Sequence, residues 1–176
     1  MRRFPENELM NRLLREGRLP SEAVERLAET IAHFHARLPA AEEDSQHGSP
    51  GMVATQIRDN LSQLAELPAL NPLRRDLDAL ERWSEDMLER LAPMLRKRHD
   101  SGAVRECHGD LHLGNVAWHE DRVIVFDGIE FDPELRWIDT VNEIAFTVMD
   151  LDFMNARRLR NRFLDRYLEL TGDYRA

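Results

Sequence analysis

Three oxygen-bearing side chains lie close together in this sequence, around two short polar segments. Asp110 and Asn115 belong to residues 108–115, and Asp127 directly follows the apolar residues 123–126. A carboxylate can orient a hydroxyl group, while an amide oxygen and a second carboxylate can hold magnesium against nucleotide phosphates. These residue types at this spacing predict a phosphoryl-transfer site.

The part of such a site that grips the nucleotide phosphates is not visible in the sequence. The single lysine, Lys97, lies near the end of a long amphipathic pattern, where a solvated surface charge is the better interpretation. The glycines that precede residue 108 are scattered and form no glycine-rich hairpin: Gly17, Gly48, Gly51 and Gly102. Arginine does not simply replace that lysine, because its fork geometry differs. The sequence therefore predicts half of a phosphoryl-transfer site.

Hydrophobic periodicity predicts the elements that must position these side chains. Apolar residues recur at helical spacing in six stretches, at 9–14, 24–38, 53–64, 73–95, 138–149 and 159–168. In the third stretch we expect Val53, Ile57, Leu61 and Leu64 to form a buried stripe. Short apolar runs predict strands at 104–107, 116–118 and 123–126. The sequence predicts an α+β, mainly α fold, in which a small β-hairpin carries the polar segments.

Composition limits the broad class of the protein. The 176 residues, 42% of them hydrophobic and 32% charged, fit a single globular domain. The net charge of −9 argues against a general nucleic-acid binder, because phosphate contacts need a basic face. No apolar run approaches the roughly 20 residues of a membrane helix. No secretory signal follows Arg2 and Arg3, and the single cysteine, Cys107, suits a reducing compartment. We expect a cytoplasmic protein with no membrane or nucleic-acid partner.

The two polar segments resemble those of a known family. His-Gly-Asp-Leu-His-Leu-Gly-Asn at 108–115, followed by Ile-Val-Phe-Asp-Gly at 124–128, resembles the catalytic and metal-binding loops of aminoglycoside phosphotransferase-like kinases, which are small-molecule relatives of protein kinases. Residues 31–35 are similar to the helix that precedes the catalytic loop in that family. Residues 126–151 look like a bacterial branch in which the kinase-like domain is often fused to a P-loop ATPase-like domain.

The resemblance implies a fold and a set of partners. Residues 1–176 would form one protein-kinase-like C-terminal lobe, without the N-terminal lobe and with a shortened C-terminus. ATP and Mg²⁺ would be the cofactors, and a small molecule with a hydroxyl group would be the acceptor. An N-terminal lobe or a fused P-loop domain would be the missing partner. We therefore expect the isolated chain to bind ATP weakly and to transfer phosphate poorly, well below the roughly 1–100 per second of ordinary kinases.

The resemblance also implies a role for each polar residue. Asp110 would accept or orient the proton of the substrate hydroxyl. Asn115 and Asp127 would ligate magnesium and, through it, the nucleotide. We interpret His108 as an anchor of the loop backbone and Asp139 as a hydrogen-bonding support of the loop from the following helix. His35 is interpreted as a packing residue and Cys107 as an inert buried thiol.

Two other functions remain open at this level. His108, Asp110, His112 and Asp127 could bind zinc or manganese in a metal-dependent hydrolase, although Asn115 would then have no role. Alternatively, the chain could be a non-catalytic kinase-like interaction module. The first alternative predicts tightly retained zinc, whereas the kinase predicts magnesium-dependent nucleotide binding.

Overall fold

The computed structural model describes residues 6–42 and 44–174. Within them, helices account for most of the regular structure, as expected of a mainly α member of the α+β class. The α-helices are α1 (Met10–Arg15), α2 (Ser21–Arg37), α3 (Pro50–Glu66), α4 (Arg74–Asp100), α5 (Thr140–Phe153) and α6 (Arg157–Thr171). The strands are β1 (Val104–Glu106), β2 (Val116–His119), β3 (Arg122–Val125) and β4 (Trp137–Asp139).

The chain forms two compact units. The first, called here the site unit, consists of Met1–Pro39 and Arg105–Ala176. The second, called here the helical unit, is Ala40–Val104. The expectation of one kinase-like domain stays a prediction.

The core of the site unit is built around α2 and α6. The buried side chains of α2 recur every three or four residues, so they share one face of the helix: Ala23, Val24, Leu27, Ala28, Ile31, Ala32 and His35. That face packs against α6, whose Phe163 and Tyr167 are almost completely buried. Pro20 occupies the N-cap position of α2, and Ser21 is the first helical residue.

The helical unit contains α3 and α4, which pack against each other. Ser49 caps α3 by accepting a hydrogen bond from Met52 N at 3.2 Å, and Pro50 opens the helix, where a missing N–H costs nothing. No residue of α3 is fully buried. The expected buried stripe is therefore wrong: Val53, Ile57 and Leu61 are half-buried and Leu64 is exposed. Within the unit, α4 covers only part of the apolar face of α3, so the side chains of that face stay partly exposed.

The expected hairpin joins β2 and β3. The strands are antiparallel, with Val116 opposite Val125 and His119 opposite Arg122. Glu120 and Asp121 form the turn with φ of +48° and +57°, the left-handed backbone that a two-residue type I′ turn requires. The hairpin thus returns the chain from residue 125 to the neighbourhood of residue 116.

The segment after the hairpin differs from the expected pattern. Residues 137–139 form β4, which pairs with β1 and has no counterpart in the sequence prediction. Ile138, expected on the next helix, lies in this strand and is buried. Helix α5 begins at Thr140, and Asp139 caps it by accepting a hydrogen bond from Val141 N at 2.9 Å. Three residues of strand are too few to show an alternating pattern.

Within residues 6–42 and 44–174, no helix is both long enough and apolar enough to cross a membrane.

Candidate functional site

One face of α5 holds the backbone of the polar segment 108–115, called here the HGD loop. Glu143 Oε2 accepts a hydrogen bond from Gly109 N at 3.2 Å. Thr147 Oγ1 donates to Leu111 O at 2.8 Å, and Asp150 Oδ2 accepts from Leu113 N at 2.8 Å. The three side chains stand at positions i, i+4 and i+7, so they share one side of the helix. The loop is therefore fixed through its backbone, which leaves its side chains available.

Gly109 could not be replaced by another residue without distorting this arrangement. Its φ is +85°, a conformation that side chains other than glycine rarely adopt. A Cβ atom at this position would lie 2.7 Å from the carbonyl oxygen of Leu135. The loop and the segment around residue 135 therefore approach each other through backbone atoms.

His108 anchors the loop with both ring nitrogens. Nδ1 accepts a hydrogen bond from Asp110 N at 3.3 Å, and Nε2 lies 2.8 Å from Phe126 O. The first bond needs an unprotonated Nδ1 and the second needs a proton on Nε2, so one neutral tautomer satisfies both. The His108 carbonyl oxygen also accepts from Ile129 N at 2.9 Å. His108 connects the HGD loop with the segment that contains Asp127.

Asp110 and Asn115 contact each other directly. Asn115 Nδ2 donates to Asp110 Oδ2 at 3.1 Å and to Asp110 O at 3.0 Å. Both acceptors are oxygens, so the amide nitrogen must face them, and Oδ1 is the Asn115 atom that remains for a cation. Asn115 is 7% exposed, whereas the Asp110 side chain is 39% exposed. The buried Asn115 thus holds the Asp110 carboxylate on one side, and the other side of the carboxylate is accessible to solvent.

His112 is a further neighbour of the Asp110 carboxylate. Its Nδ1 accepts a hydrogen bond from Gly114 N at 3.0 Å, which places the ring proton on Nε2. Nε2 lies 3.4 Å from Asp110 Oδ2. His112 therefore adds a second nitrogen beside the carboxylate, on a half-exposed side chain.

A backbone hydrogen bond places the segment that contains Asp127 beside the end of the HGD loop. Phe126 N donates to Asn115 O at 3.1 Å, so Asp127 follows a residue that is paired with the end of the HGD loop. Asp127 is exposed, and its φ is +63°, a strained value that Asp and Asn tolerate better than most residues. Asp110, Asn115 and Asp127 thus lie on two chain segments that hydrogen bonds hold side by side.

The oxygen atoms of this region fit magnesium better than zinc. Asn115 Oδ1 and the Asp127 carboxylate are hard oxygen ligands, the type that Mg²⁺ prefers. In the alternative hydrolase, His108 would be a ligand, yet both of its ring nitrogens are engaged by backbone atoms. Within the part of the chain that the structure describes, His108, Asp110, His112 and Asp127 do not form a metal-binding group.

The residues that support the loop include one that the sequence analysis missed. Asp139 caps α5, while Glu143, four residues later, binds the loop backbone at Gly109. Glu143 is completely buried, and this burial raises the pKa of its carboxyl group against the opposing effect of the Gly109 N–H. The recurrence of polar residues at 143, 147 and 150, on one side of a mainly apolar helix, is the signal that could have identified this support.

Three more buried groups lie close behind the loop. Burial, and secondarily the charge of Arg105, lowers the pKa of His35 to about 4. Burial raises the pKa of the Cys107 thiol, and the nearby Glu143 carboxylate raises it further. Burial also raises the pKa of Tyr167 to about 12. At neutral pH these three side chains are therefore uncharged.

Comparison with known proteins agrees with the chemistry of the site. A family model described as "Phosphotransferase enzyme family" matches residues 5–176. No solved structure matches the chain.

The curated relatives are mycobacterial proteins. Proteins described as uncharacterized, from two strains of Mycobacterium tuberculosis and from Mycobacterium bovis, are each 27% identical to this chain over 178 residues. The alignment covers 98% of this chain and 35% of each relative. The chain thus spans about a third of the length of the curated relatives it matches.

Proposed function

Because the chain belongs to the phosphotransferase enzyme family, we propose that it forms the catalytic lobe of a kinase that transfers a phosphoryl group from ATP to a hydroxyl group of a small molecule. The observation that carries the proposal is the hydrogen bond between Asn115 Nδ2 and Asp110 Oδ2, made within a loop that α5 holds by its backbone. Phosphoryl transfer depends mainly on positioning and charge neutralisation, and a rigid loop supplies the positioning.

In this proposal, Asp110 orients the hydroxyl group and accepts its proton. Its carboxylate is held by Asn115 on one side and lies 3.4 Å from His112 Nε2. An ordinary carboxylate suffices, because proton transfer need not be advanced when the transition state is loose. The half-exposed position of Asp110 lets a substrate reach it.

Asn115 and Asp127 are the residues that would hold magnesium. When bound, Mg²⁺ would neutralise charge on the nucleotide phosphates. Asn115 can serve both functions at once, since its amide nitrogen holds Asp110 and its amide oxygen points elsewhere. Asp127 supplies the negative charge that an amide lacks.

Binding of Mn²⁺ together with ATP tests the metal part of the proposal, because Mn²⁺ replaces Mg²⁺ and is detected by electron paramagnetic resonance. We expect Asp127→Asn to weaken ATP-dependent Mn²⁺ binding about tenfold or more. Asp121→Asn is the matched control: Asp121 is also exposed and also has a positive φ of +57°, but it lies in the hairpin turn. Equal Mn²⁺ binding by the chain and by Asp127→Asn would overturn the magnesium assignment.

Phosphate transfer tests the role of Asp110. Radiolabelled ATP is offered with a pool of polyols and amino sugars, and labelled products are measured. We expect Asp110→Asn to lower the transfer rate about 10²–10⁴-fold while ATP-dependent Mn²⁺ binding is retained. Unchanged transfer by this variant would exclude Asp110 as the group that accepts the hydroxyl proton.

A further inference from the structure

A buried group of three side chains lies behind the HGD loop and takes no part in the proposed reaction. One ring nitrogen of His35, Cys107 Sγ and a carboxylate oxygen of Glu143 all lie within 4.8 Å of one another. The three residues are 3%, 4% and 0% exposed. They come from α2, from the residue that precedes the HGD loop, and from α5. Three potential metal ligands from distant parts of the sequence thus meet inside the site unit.

Two atoms of this group lack a hydrogen-bond partner although they are buried. They are His35 Nε2 and Glu143 Oε1. The Cys107 thiol lies near the Glu143 carboxylate, but its Sγ donates to Ile138 O at 3.6 Å, and a thiol is a weak donor. Leaving a buried polar atom unpaired is unfavourable, because the atom loses its hydrogen bonds to water without replacement. Two such atoms in one small space point to a ligand that both could bind.

The other polar atoms of the same side chains are already oriented. His35 Nδ1 lies 2.8 Å from Tyr167 Oη, which leaves Nε2 for a metal. Glu143 Oε2 accepts the hydrogen bond from Gly109 N, which leaves Oε1. Metal-binding histidines and carboxylates are usually held in this way, by hydrogen bonds to the atom that does not bind the ion.

We propose that His35 Nε2, Cys107 Sγ and Glu143 Oε1 bind a zinc-class divalent ion. Thiolate, imidazole and carboxylate are the ligands of Zn²⁺, whereas Mg²⁺ prefers oxygen alone. Binding releases the proton of the thiol and any proton on the carboxyl group. The thiolate and the carboxylate then balance the two charges of the ion, so the occupied site carries no net charge. Burial of a neutral group costs less than burial of an isolated charge.

This ion would connect α2, the start of the HGD loop and α5. Its role would be to hold these segments together, since its ligands do not include Asp110, Asn115 or Asp127. The three side chains would leave one coordination position for a fourth ligand. The site is therefore independent of the proposed kinase function. It also differs from the hydrolase alternative, whose ligands were His108, Asp110, His112 and Asp127.

The test uses the whole chain without a histidine tag. One sample is purified in the presence of zinc and a second sample in the presence of cobalt. We expect about one equivalent of zinc by mass spectrometry, and a thiolate-to-cobalt charge-transfer absorption in the cobalt form. Cys107→Ser should remove that absorption, and His35→Gln should lower zinc affinity by at least tenfold. His33→Gln is the matched control, because His33 lies on the same helix but is exposed.

A measurement on the unaltered chain guards against variants that fail to fold. Absence of the thiolate-to-cobalt absorption in the folded, unaltered chain would overturn the proposal. Zinc retained with equal affinity by folded Cys107→Ser would also overturn it. Tyr167→Phe keeps the ligand itself: we expect about tenfold weaker zinc binding, a smaller loss than His35→Gln causes, because His35 loses the partner that orients its ring.

Discussion

The site unit and the helical unit use their apolar residues in different ways. In the site unit, helices, the hairpin and the HGD loop bury a continuous cluster that includes Leu27, Leu111 and Phe163. In the helical unit, the described residues that are buried are Ser84, Arg98, His99 and Val104, three of them polar. Large apolar side chains such as Trp83 and Leu67 are 59% and 50% exposed there. An amphipathic pattern predicts a helix, but it does not predict how completely the helix is covered.

The comparison is tested most strongly by removing one leucine from a helix in each unit. Leu27 on α2 is 0% exposed, and Leu80 on α4 is 43% exposed. We expect Leu27→Ala to lower the free energy of unfolding by about 2–5 kcal/mol, because it leaves a cavity. Leu80→Ala should change it by no more than about 0.5 kcal/mol. Urea unfolding followed by circular dichroism measures both, and equal losses would show that the two units are packed alike.

The hydroxyl of Thr147 tests how much the loop depends on α5. We expect Thr147→Val to cost about 1–3 kcal/mol, because the buried carbonyl of Leu111 loses its partner. Hydrogen exchange of residues 108–115 should become faster. The control is Thr30→Val: Thr30 donates to Arg26 O on an exposed helix surface, where water can replace the bond. If both substitutions had the same small effect, the loop would be held by other contacts.

The smallest effect is expected from ion pairs, which also differ between the units. Arg166 lowers the pKa of Glu29 mainly by a hydrogen bond, so this carboxylate stabilises the fold at pH values above its ordinary pKa of 4.5. That stabilisation is lost as the pH falls through the lowered value. Glu29→Gln should therefore cost about 1 kcal/mol or less at pH 7 and nothing in strong acid.

A pair in the helical unit provides the contrast. Arg58 and Glu85 are joined by two hydrogen bonds of 2.7 Å, but both side chains are about half exposed. We expect Glu85→Gln to have a smaller effect than Glu29→Gln, and one that disappears at high salt. Thermal unfolding at low and high salt separates the two cases, and a larger effect for Glu85 would contradict the comparison.

The sequence predicted much of the fold where the signals are local. Helical periodicity identified the long helices, and the polar turn between two apolar runs identified the hairpin. The start of α5 was placed two residues too early, because Ile138 fits the helical spacing yet belongs to β4. The buried stripe of α3 was wrong, because burial depends on what lies opposite a helix face.

Local spacing also identified part of the candidate site, namely its polar residues but not the residue that supports the loop. Asp110, Asn115 and Asp127 were singled out from their residue types and intervals, and their roles in catalysis stay predictions. Glu143 was missed, because the polar spacing at 143, 147 and 150 marks one side of α5 but does not show that this side lies under Gly109. His35 and Cys107 were interpreted singly, as a packing residue and an inert thiol.

The amino-acid sequence by itself determined the helices, the hairpin and the family, since these depend on neighbours along the chain. The tertiary structure alone decided that α5 holds the HGD loop through Glu143, Thr147 and Asp150. It alone brought His35, Cys107 and Glu143 together across more than a hundred positions of sequence. Such long-range contacts depend on how whole helices and loops pack together. The local spacing of residues along the chain does not determine that packing.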